Sequence, residues 1–275
     1  MNFPYVSLRL IRHFMPASVA QWLLRMNLII HPGLETSDYK SAIDQYTRVL
    51  DDFNYPLKDK RCMVFGYGGR FAVGCGLLER GASHVVLCDK FAHPDNNYNN
   101  TLVPAYDQYL ESDGSHVRPN PEFITLLHDD IRQSFSSSKI PKVDMVLSNS
   151  VYEHIDEVEG ITEALAKITH PKGVQLHFID LRDHFFRYPF EMLTFKKSTW
   201  ARWLNPTSNL NRYRLRDYQR VFETYFNETK ITVLERDLST FQDVKTRIRP
   251  EFLTGDTEID AVTLIQVLAS GALKE

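Results

Sequence analysis

The sequence has little cysteine: Cys62, Cys75 and Cys88 are the only three among 275 residues. An odd number with no C-x-x-C pair excludes a disulfide framework and supplies no zinc or redox motif. The apolar neighbours of these residues mark them as buried, reduced thiols. No metal site is assigned from them or from the rest of the chain. An excess of either charge is also missing. The 32 basic and 35 acidic side chains leave a formal net charge of -3, which offers no general field for a nucleic-acid backbone. No apolar run reaches the roughly 18–20 residues that a membrane span needs, and neither repeats nor long low-complexity tracts organise the chain.

The first 34 residues contain no acid but carry Arg9, Arg12 and Arg25 among Leu8, Ile11, Phe14, Trp22, Leu24 and Ile29. That pattern suits a surface-seeking helix, while Arg12, Pro16 and Arg25 break the apolar stretch that a leader or span would require. The expectation is a helical cap over 1–57, packed on a domain over 58–275. Peripheral contact with an anionic membrane is the alternative use of that segment, and the expected location is cytoplasmic.

What the chain does have is alternation. Ile43, Tyr46, Leu50 and Phe53 recur at helical spacing after Ser37 and Asp38, either of which can cap a helix. From residue 61 onward, short apolar runs at 62–65, 85–88, 123–127, 143–147 and 174–179 read as strands. A helix over 71–80 is apolar nearly all round. Ile155, Val158, Ile161, Leu165 and Ile168 make one face of another, with Asp156 placed to cap it and Glu159 three residues on. Alternation of strand and helix predicts parallel strands joined by crossover helices, an α/β doubly wound sheet. The tail adds a helix with Leu215, Tyr218, Phe222 and Tyr225 on one side, then strands at 229–234 and 261–268. Ser134 to Ser138 reads as a short polar loop. Residues 181–214 fit neither period and are dense in aromatics and arginines, including Phe185, Phe186, Trp200, Arg202, Trp203, Arg212 and Arg214. Loops of this kind beyond strand ends tend to carry substrate contacts, so this insertion is read as the acceptor region.

Ligands in doubly wound sheets sit beyond the carboxyl ends of the strands, which directs attention to the residues there. Gly66-Tyr67-Gly68-Gly69 follows the first strand, where glycines allow a tight turn and close approach of backbone to a ligand. The third glycine of a dinucleotide fingerprint is replaced by Phe71, which argues against a nicotinamide-dependent oxidoreductase. Asp89 ends the second strand and can accept bonds from both hydroxyls of a ribose. Asp129-Asp130-Ile131 follows the third strand, and Asn149 to His154 follows the fourth.

The order glycine loop, Asp89, Asp129-Asp130, Ser148 to Ile155, then Pro171-Lys172-Gly173 before a strand resembles the class I S-adenosylmethionine-dependent methyltransferases over residues 61–268. His177 to His184, followed by Trp200 and Asn211 to Arg216, looks like a subgroup of them associated with sugar and glycan biosynthesis. The resemblance implies a seven-stranded, mostly parallel Rossmann-like sheet with an antiparallel last strand, and S-adenosyl-L-methionine as cofactor. It places Gly66, Tyr67 and Gly68 along the methionine part, with Gly69 and Lys90 counted among the cofactor-binding residues, and Asp89 on the ribose. Asp130 and Ile131 are placed at the adenine, and Asn149 and Ser150 near the sulfonium. One departure is visible: the acid that usually stands two positions before the first glycine is Val64 here, and Arg70 follows Gly69 as a partner for the cofactor's carboxylate.

Methyl transfer from a sulfonium is an in-line displacement with a good leaving group, so alignment is most of the task, and a hydroxyl acceptor also needs a base. His154 is the first candidate base, and Asp180, Asp183 and His184 form a second catalytic set that could orient an acceptor hydroxyl, act as base or bind a divalent ion, although spacing alone fixes no metal. Trp200, Arg202, Arg212 and Arg214 are the expected acceptor-binding residues, gripping phosphate or carboxylate and stacking on sugar faces. The function expected is O-methylation of a sugar, glycan or other small-molecule hydroxyl. Alternatives are a methyltransferase-fold binding or scaffold domain that has lost catalysis, and a dinucleotide-dependent oxidoreductase.

Overall fold

Five short apolar segments become adjacent parallel strands because they are flanked by helices that cover both sheet faces. The computed structural model describes residues 2–16, 35, 38–136 (134–136 as backbone only), 141–185, 187–205 and 209–273. Expectations resting on Trp22, Leu24, Arg25, Ile29, Ser37, Ser137, Ser138 and Phe186 fall outside them. The main elements are α1 (Phe3–Phe14), α2 (Tyr39–Asp52), β1 (Arg61–Phe65), α3 (Ala72–Glu79), β2 (His84–Cys88) and α4 (Asn96–Leu102). A hairpin of β3 (Leu110–Ser112) and β4 (Val117–Pro119) leads to β5 (Ile124–Leu127) and α5 (Ile131–Ser136). Then come β6 (Val143–Asn149), α6 (Val158–Ile168), β7 (Thr169–Asp180), α7 (Leu215–Tyr225), β8 (Phe226–Arg236), α8 (Leu238–Val244) and β9 (Val262–Ala272).

The large sheet has seven strands in the order β5-β2-β1-β6-β7-β9-β8. Strands β5, β2, β1, β6 and β7 pair in parallel, and β9 runs against both β7 and β8. This is the doubly wound, mostly parallel α/β sheet with an antiparallel last strand that alternation and resemblance implied. Strand order reverses between β1 and β6, which opens a crevice beyond their carboxyl ends.

One face of the sheet is covered by α2 and α3, with Ile43, Tyr46, Leu50, Cys75, Leu77, Val64 and Leu147 in a shared apolar cluster. Asp38 caps α2 by accepting from the Ser41 amide at 3.1 Å. The other face is covered by α6 and α7, where Val158, Leu165, Tyr218 and Phe222 meet Met63, Val146 and Ile265. Helix α6 begins at Val158 after Glu157, later than the 155-residue start expected, and no side chain caps it. The preceding residues, Tyr152–His154, form a 3-10 turn instead. All three cysteines are buried and free.

Helix α1 packs mainly on the segment around Trp200–Leu204. Its Tyr5 belongs to a third cluster with Phe190, Leu193, Trp200, Leu204 and Phe241, so it docks on the aromatic insertion. The opposite side of α1 leaves Phe3, Leu8, Ile11 and Phe14 exposed. Among the described residues, no helix is long and apolar enough to cross a membrane.

Candidate active site

The crevice at the strand-order reversal holds two cavities that meet at Gly66 and Ser150. The larger, about 670 Å³, is lined by residues that include Asp89, Asp129, Ile131, His154 and Asn209. The smaller, about 120 Å³, is lined by Glu35, Gly66, Tyr67, Gly68, Arg70, Val73, Asn149 and Ser150.

The floor between them depends on unusual backbone. Gly66 has φ +82°, and a Cβ there would lie 2.3 Å from Cγ2 of Val151, so glycine is required for both reasons. Gly68, at φ +64°, faces open space. Ser150 adopts φ +55° without being glycine, a conformation that costs of order 1–3 kcal/mol and gathers at functional sites. Its amide donates to the Phe178 carbonyl at 3.0 Å, and its hydroxyl to Asn149 Oδ1 at 3.1 Å.

Asp89 lies where the sequence placed it, at the tip of β2 on the wall of the larger cavity. One carboxylate oxygen accepts from the Gly68 amide at 3.2 Å. The other accepts from the amides of Phe91 at 2.8 Å and Ala92 at 2.9 Å. Asp89 therefore braces the glycine loop and keeps acceptor capacity for a ligand, since two carboxylate oxygens offer about four lone-pair sites.

Asp130 is on the wall too, but its oxygens are committed. Arg132 binds it through Nε at 2.9 Å, through a terminal nitrogen at 2.6 Å and through its amide at 3.1 Å. Lys90 Nζ adds a contact at 3.2 Å. The Arg132 guanidinium holds the Asp130 carboxyl far below its ordinary range, with Lys90 assisting. The expected reach of Asp130 toward an adenine is thus not what its side chain does here. Asp129 and Ile131, its neighbours, both line the cavity, and Lys90 serves as a cation that steadies Asp130.

In the smaller cavity, Glu35 accepts a hydrogen bond from the Tyr46 hydroxyl. Burial pushes the Glu35 carboxyl up to about 7, against the lowering effect of that bond. Arg70, across the same cavity, packs over the Tyr98 ring at 4.2 Å and stands 3.7 Å from Asp95. Val64 is fully buried in β1, so the strand itself presents no acid to this cavity, and Glu35 reaches it from outside the sheet.

Of the expected catalytic set, His154 and His184 come together, and of the four residues His154 alone lines the larger cavity. The imidazoles of His154 and His184 meet edge to face with centroids 4.6 Å apart, and His154 lines the larger cavity. Burial, with His154, Arg9 and Arg182 nearby, brings His184 down to about 3 and so keeps it neutral. Asp180 is gripped by its neighbour Arg182, through Nε at 2.9 and 3.1 Å and a terminal nitrogen at 2.8 Å. Asp183 is fully buried and accepts from Tyr5, Arg9 and the Phe185 amide. These two carboxylates shape the loop that carries His184; neither faces the cavity.

The expected acceptor residues are placed differently from the sequence reading. Trp200 is buried and donates to the Leu210 carbonyl at 3.2 Å. Arg212 binds the carbonyls of Met192 at 3.2 Å and Phe195 at 2.7 Å. Arg214 binds those of Leu181 at 2.7 Å and Val262 at 2.5 Å. Arg202 is exposed and lies over the Trp203 ring at 5.3 Å. None of the four lines the larger cavity. The physical reason is that an irregular, aromatic-rich insertion has many carbonyls without ladder partners, and buried guanidiniums satisfy them. From this insertion the larger cavity takes Asn209 instead.

Two acids, one on the wall of the smaller cavity and one buried beside His154, were given no site role of their own by the sequence. Glu35 carried one signal, being the first acid after the acid-free segment. Glu153, beside His154, is buried, and neither of its carboxylate oxygens has a hydrogen-bond partner among the described residues. Burial pushes its carboxyl well above the ordinary range, and the nearby backbone amides of Glu153 and Asp180 only partly oppose this.

No protein-family model matches the chain, and no curated protein matches it by sequence. Solved structures do. A protein from Galdieria sulphuraria assigned as a sarcosine dimethylglycine methyltransferase matches with TM-score 0.54 and 12% identity, over 94% of this chain and 99% of that one. Geranyl diphosphate C-methyltransferase from Streptomyces coelicolor A3(2), crystallised with Mg2+, geranyl diphosphate and S-adenosyl-L-homocysteine, matches with TM-score 0.51 and 13% identity, over 83% of this chain and 78% of that one. A citrinin polyketide synthase CMeT domain is similar at TM-score 0.47 and 12% identity over 86% of this chain, which spans about half (53%) of that one. At these identities the first two likenesses establish the fold alone: the chain has the Rossmann-like architecture of S-adenosylmethionine-dependent methyltransferases.

Proposed function

We propose that the chain is an S-adenosylmethionine-dependent methyltransferase acting on a hydroxyl of a small molecule, with a sugar or glycan as the acceptor class. The observation that carries this reading is the pair of cavities joined at Gly66 and Ser150, with Asp89 on one side and a facing acid and base, Glu35 and Arg70, on the other. The larger cavity has the size of sites that take nucleoside-sized ligands and presents Asp89 to a ribose. The smaller suits an amino-acid end, because Arg70 complements its carboxylate and Glu35 its ammonium. On this reading Glu35 takes the place left by Val64. The sulfonium then lies near the shared floor at Ser150, within the crevice that His154 borders.

An acceptor entering past Asn209 meets the imidazole of His154, the group placed to take its proton, with the neutral imidazole of His184 packed against it. The sugar or glycan preference rests on the sequence resemblance over 177–216, since the arginines expected to grip such an acceptor bind backbone carbonyls.

Isothermal titration of the full chain with S-adenosyl-L-homocysteine and with NADH tests the reading. Saturable heat with the first and none with the second is expected; heat only with NADH overturns it. A second reading, a binding domain without catalysis, draws on Val64. Accumulation of S-adenosyl-L-homocysteine from S-adenosyl-L-methionine with a panel of sugars and phenols excludes it.

A further inference from the structure

The unexplained feature of the site is Glu153. It is 3% exposed, and both carboxylate oxygens lack a hydrogen-bond partner among the described residues. A buried carboxylate with no hydrogen-bonded partner is costly, and the backbone amides of Glu153 and Asp180 and the Arg182 charge offset that cost only in part. The nearby guanidinium of Arg182 is committed to Asp180 at 2.8 Å and reaches Glu235 at 3.5 Å. Donor atoms of Glu153, His154 and His184 all lie within 4.8 Å of one another.

We infer that Glu153, His154 and His184 form a binding site for one divalent transition-metal ion at the edge of the larger cavity. Donors around such an ion, at ~2.0–2.2 Å from it, stand roughly 3–4 Å apart, a spacing that small side-chain rotations reach from the present one. Two imidazoles and one carboxylate favour Zn2+, Mn2+, Fe2+ or Co2+ over Mg2+ and Ca2+, which prefer all-oxygen shells. An ion here supplies Glu153 with a directly coordinated positive charge, where Arg182 acts only from beside it.

Both arms of the site are held from behind. The turn bearing Glu153 and His154 is fixed by Asn211, whose side chain donates to the carbonyls of Tyr152 at 2.7 Å and Ile155 at 2.9 Å. Its amide donates to the Glu153 carbonyl at 2.9 Å. The His184 arm is fixed by the Asp180–Arg182 and Asp183–Arg9 pairs in the residues just before it. Support of this kind is what metal ligands need to keep their geometry.

Three protein donors leave coordination positions open, and His154 borders the larger cavity. The ion therefore selects an acceptor bearing an oxygen donor, a hydroxyl or a vicinal pair of them. This part rests on the methyltransferase reading; metal binding does not. A coordinated hydroxyl gives up its proton to water more readily. Its oxygen forms the bond to the methyl carbon, the carbon–sulfur pair returns to sulfur, and the neutral thioether leaves. His154 and His184 then act as ligands, and the ion replaces them as the means of activating the acceptor.

The test uses the full chain, stripped with chelator and titrated with Co2+, Mn2+ and Mg2+ without any adenosyl ligand. One equivalent of Co2+ and of Mn2+ per chain is expected, with Mg2+ weaker. Glu153→Gln and His184→Ala are each expected to weaken Co2+ by at least ~100-fold, while Asp113→Ala, on a remote hairpin, changes nothing. Absence of stoichiometric binding, unchanged affinity in both variants, or Mg2+ binding as tightly as Co2+ overturns the site. If the variants fail to fold, spin-echo spectra of Mn2+ on the wild-type chain decide: nitrogen coupling from imidazole is expected, and its absence overturns the proposal. Because these measurements omit the cofactor, their failure is separable from failure of the methyltransferase reading, which the S-adenosyl-L-homocysteine titration reports.

Discussion

The hydroxyl of Tyr5 donates to the buried carboxylate of Asp183, a residue 178 positions further along the chain. Arg9, one turn on from Tyr5, forms an ion pair with the same carboxylate and lies over the rings of Phe185 at 4.6 Å and Trp200 at 4.8 Å. The first helix is thereby bolted to the loop that carries His184, so the placement of that imidazole depends on residues far apart in the sequence.

Asp183→Asn leaves Arg9 buried beside a neutral amide. Breaking a buried pair from one side costs about 3–5 kcal/mol, and Tyr5→Phe, which removes a bond to a charged group, costs about 1.5–3 kcal/mol. Urea denaturation of both variants is expected to show this ranking. S-adenosyl-L-homocysteine affinity is expected to hold, because Asp89 and the glycine loop lie elsewhere. Equal stability of Asp183→Asn and wild type contradicts the anchoring role.

The sheet was legible in the sequence because it rests on local signals. Apolar runs of four or five residues, glycines after β1 and an acid at the end of β2 each report on their own neighbourhood. The same holds for Asp89, Asn149 and Ser150, whose positions follow from strand ends. Asp180, Asp183, Arg212 and Arg214 were misjudged because their partners are distant or are backbone carbonyls, and neither kind of partner leaves a mark in residue spacing. A charged residue in an irregular segment looks the same whether it faces a ligand or plugs a carbonyl. The hairpin of β3 and β4 also went unseen, since three-residue strands carry too few positions to show a period.

Asp89 accepts three backbone bonds and still faces the cavity, so its substitution tests both the loop and the ligand. Asp89→Asn is expected to weaken S-adenosyl-L-homocysteine binding about 10- to 100-fold, the equivalent of one or two bonds to a charged group. Titration of adenosine and of its 2′-deoxy form separates the causes. Wild type is expected to prefer adenosine and the variant to lose that preference. A variant that keeps the preference removes Asp89 from the ribose.

Gly66 and Val151 occupy one space. Gly66→Ala brings a methyl group to within 2.3 Å of a Val151 methyl at a backbone φ of +82°, so both clash and strain oppose it. The expected loss is about 2–4 kcal/mol, summing overpacking and left-handed strain. Adding Val151→Ala is expected to return the overpacking share only. Thermal melts of the single and double variants measure this, and full recovery in the double variant shows that backbone strain contributes nothing.

Glu35 gives a pH signature with two opposite signs. Burial raises its carboxyl from the ordinary range to about 7, with Tyr46 donating to it and Tyr67 and Arg70 on the walls of the same cavity. Without ligand, the folded chain holds this proton between the unfolded pKa near 4.5 and about 7. Its contribution to stability is therefore full below that window and is lost as pH rises through it. An ammonium group bound beside Glu35 needs the carboxylate, so cofactor affinity runs the other way: it improves with rising pH, by up to about tenfold per unit below the carboxyl's pKa, and levels off above. Near neutrality, binding of S-adenosyl-L-homocysteine is expected to expel about half a proton, visible as a difference in heat between phosphate and Tris buffers. 5′-Methylthioadenosine, which lacks the amino-acid end, is expected to bind with no such difference, and Glu35→Gln to abolish it for S-adenosyl-L-homocysteine. Buffer-independent heat in the wild-type chain would mean that the ammonium group is held by something other than Glu35, and that the acid missing at Val64 has not been replaced from outside the sheet.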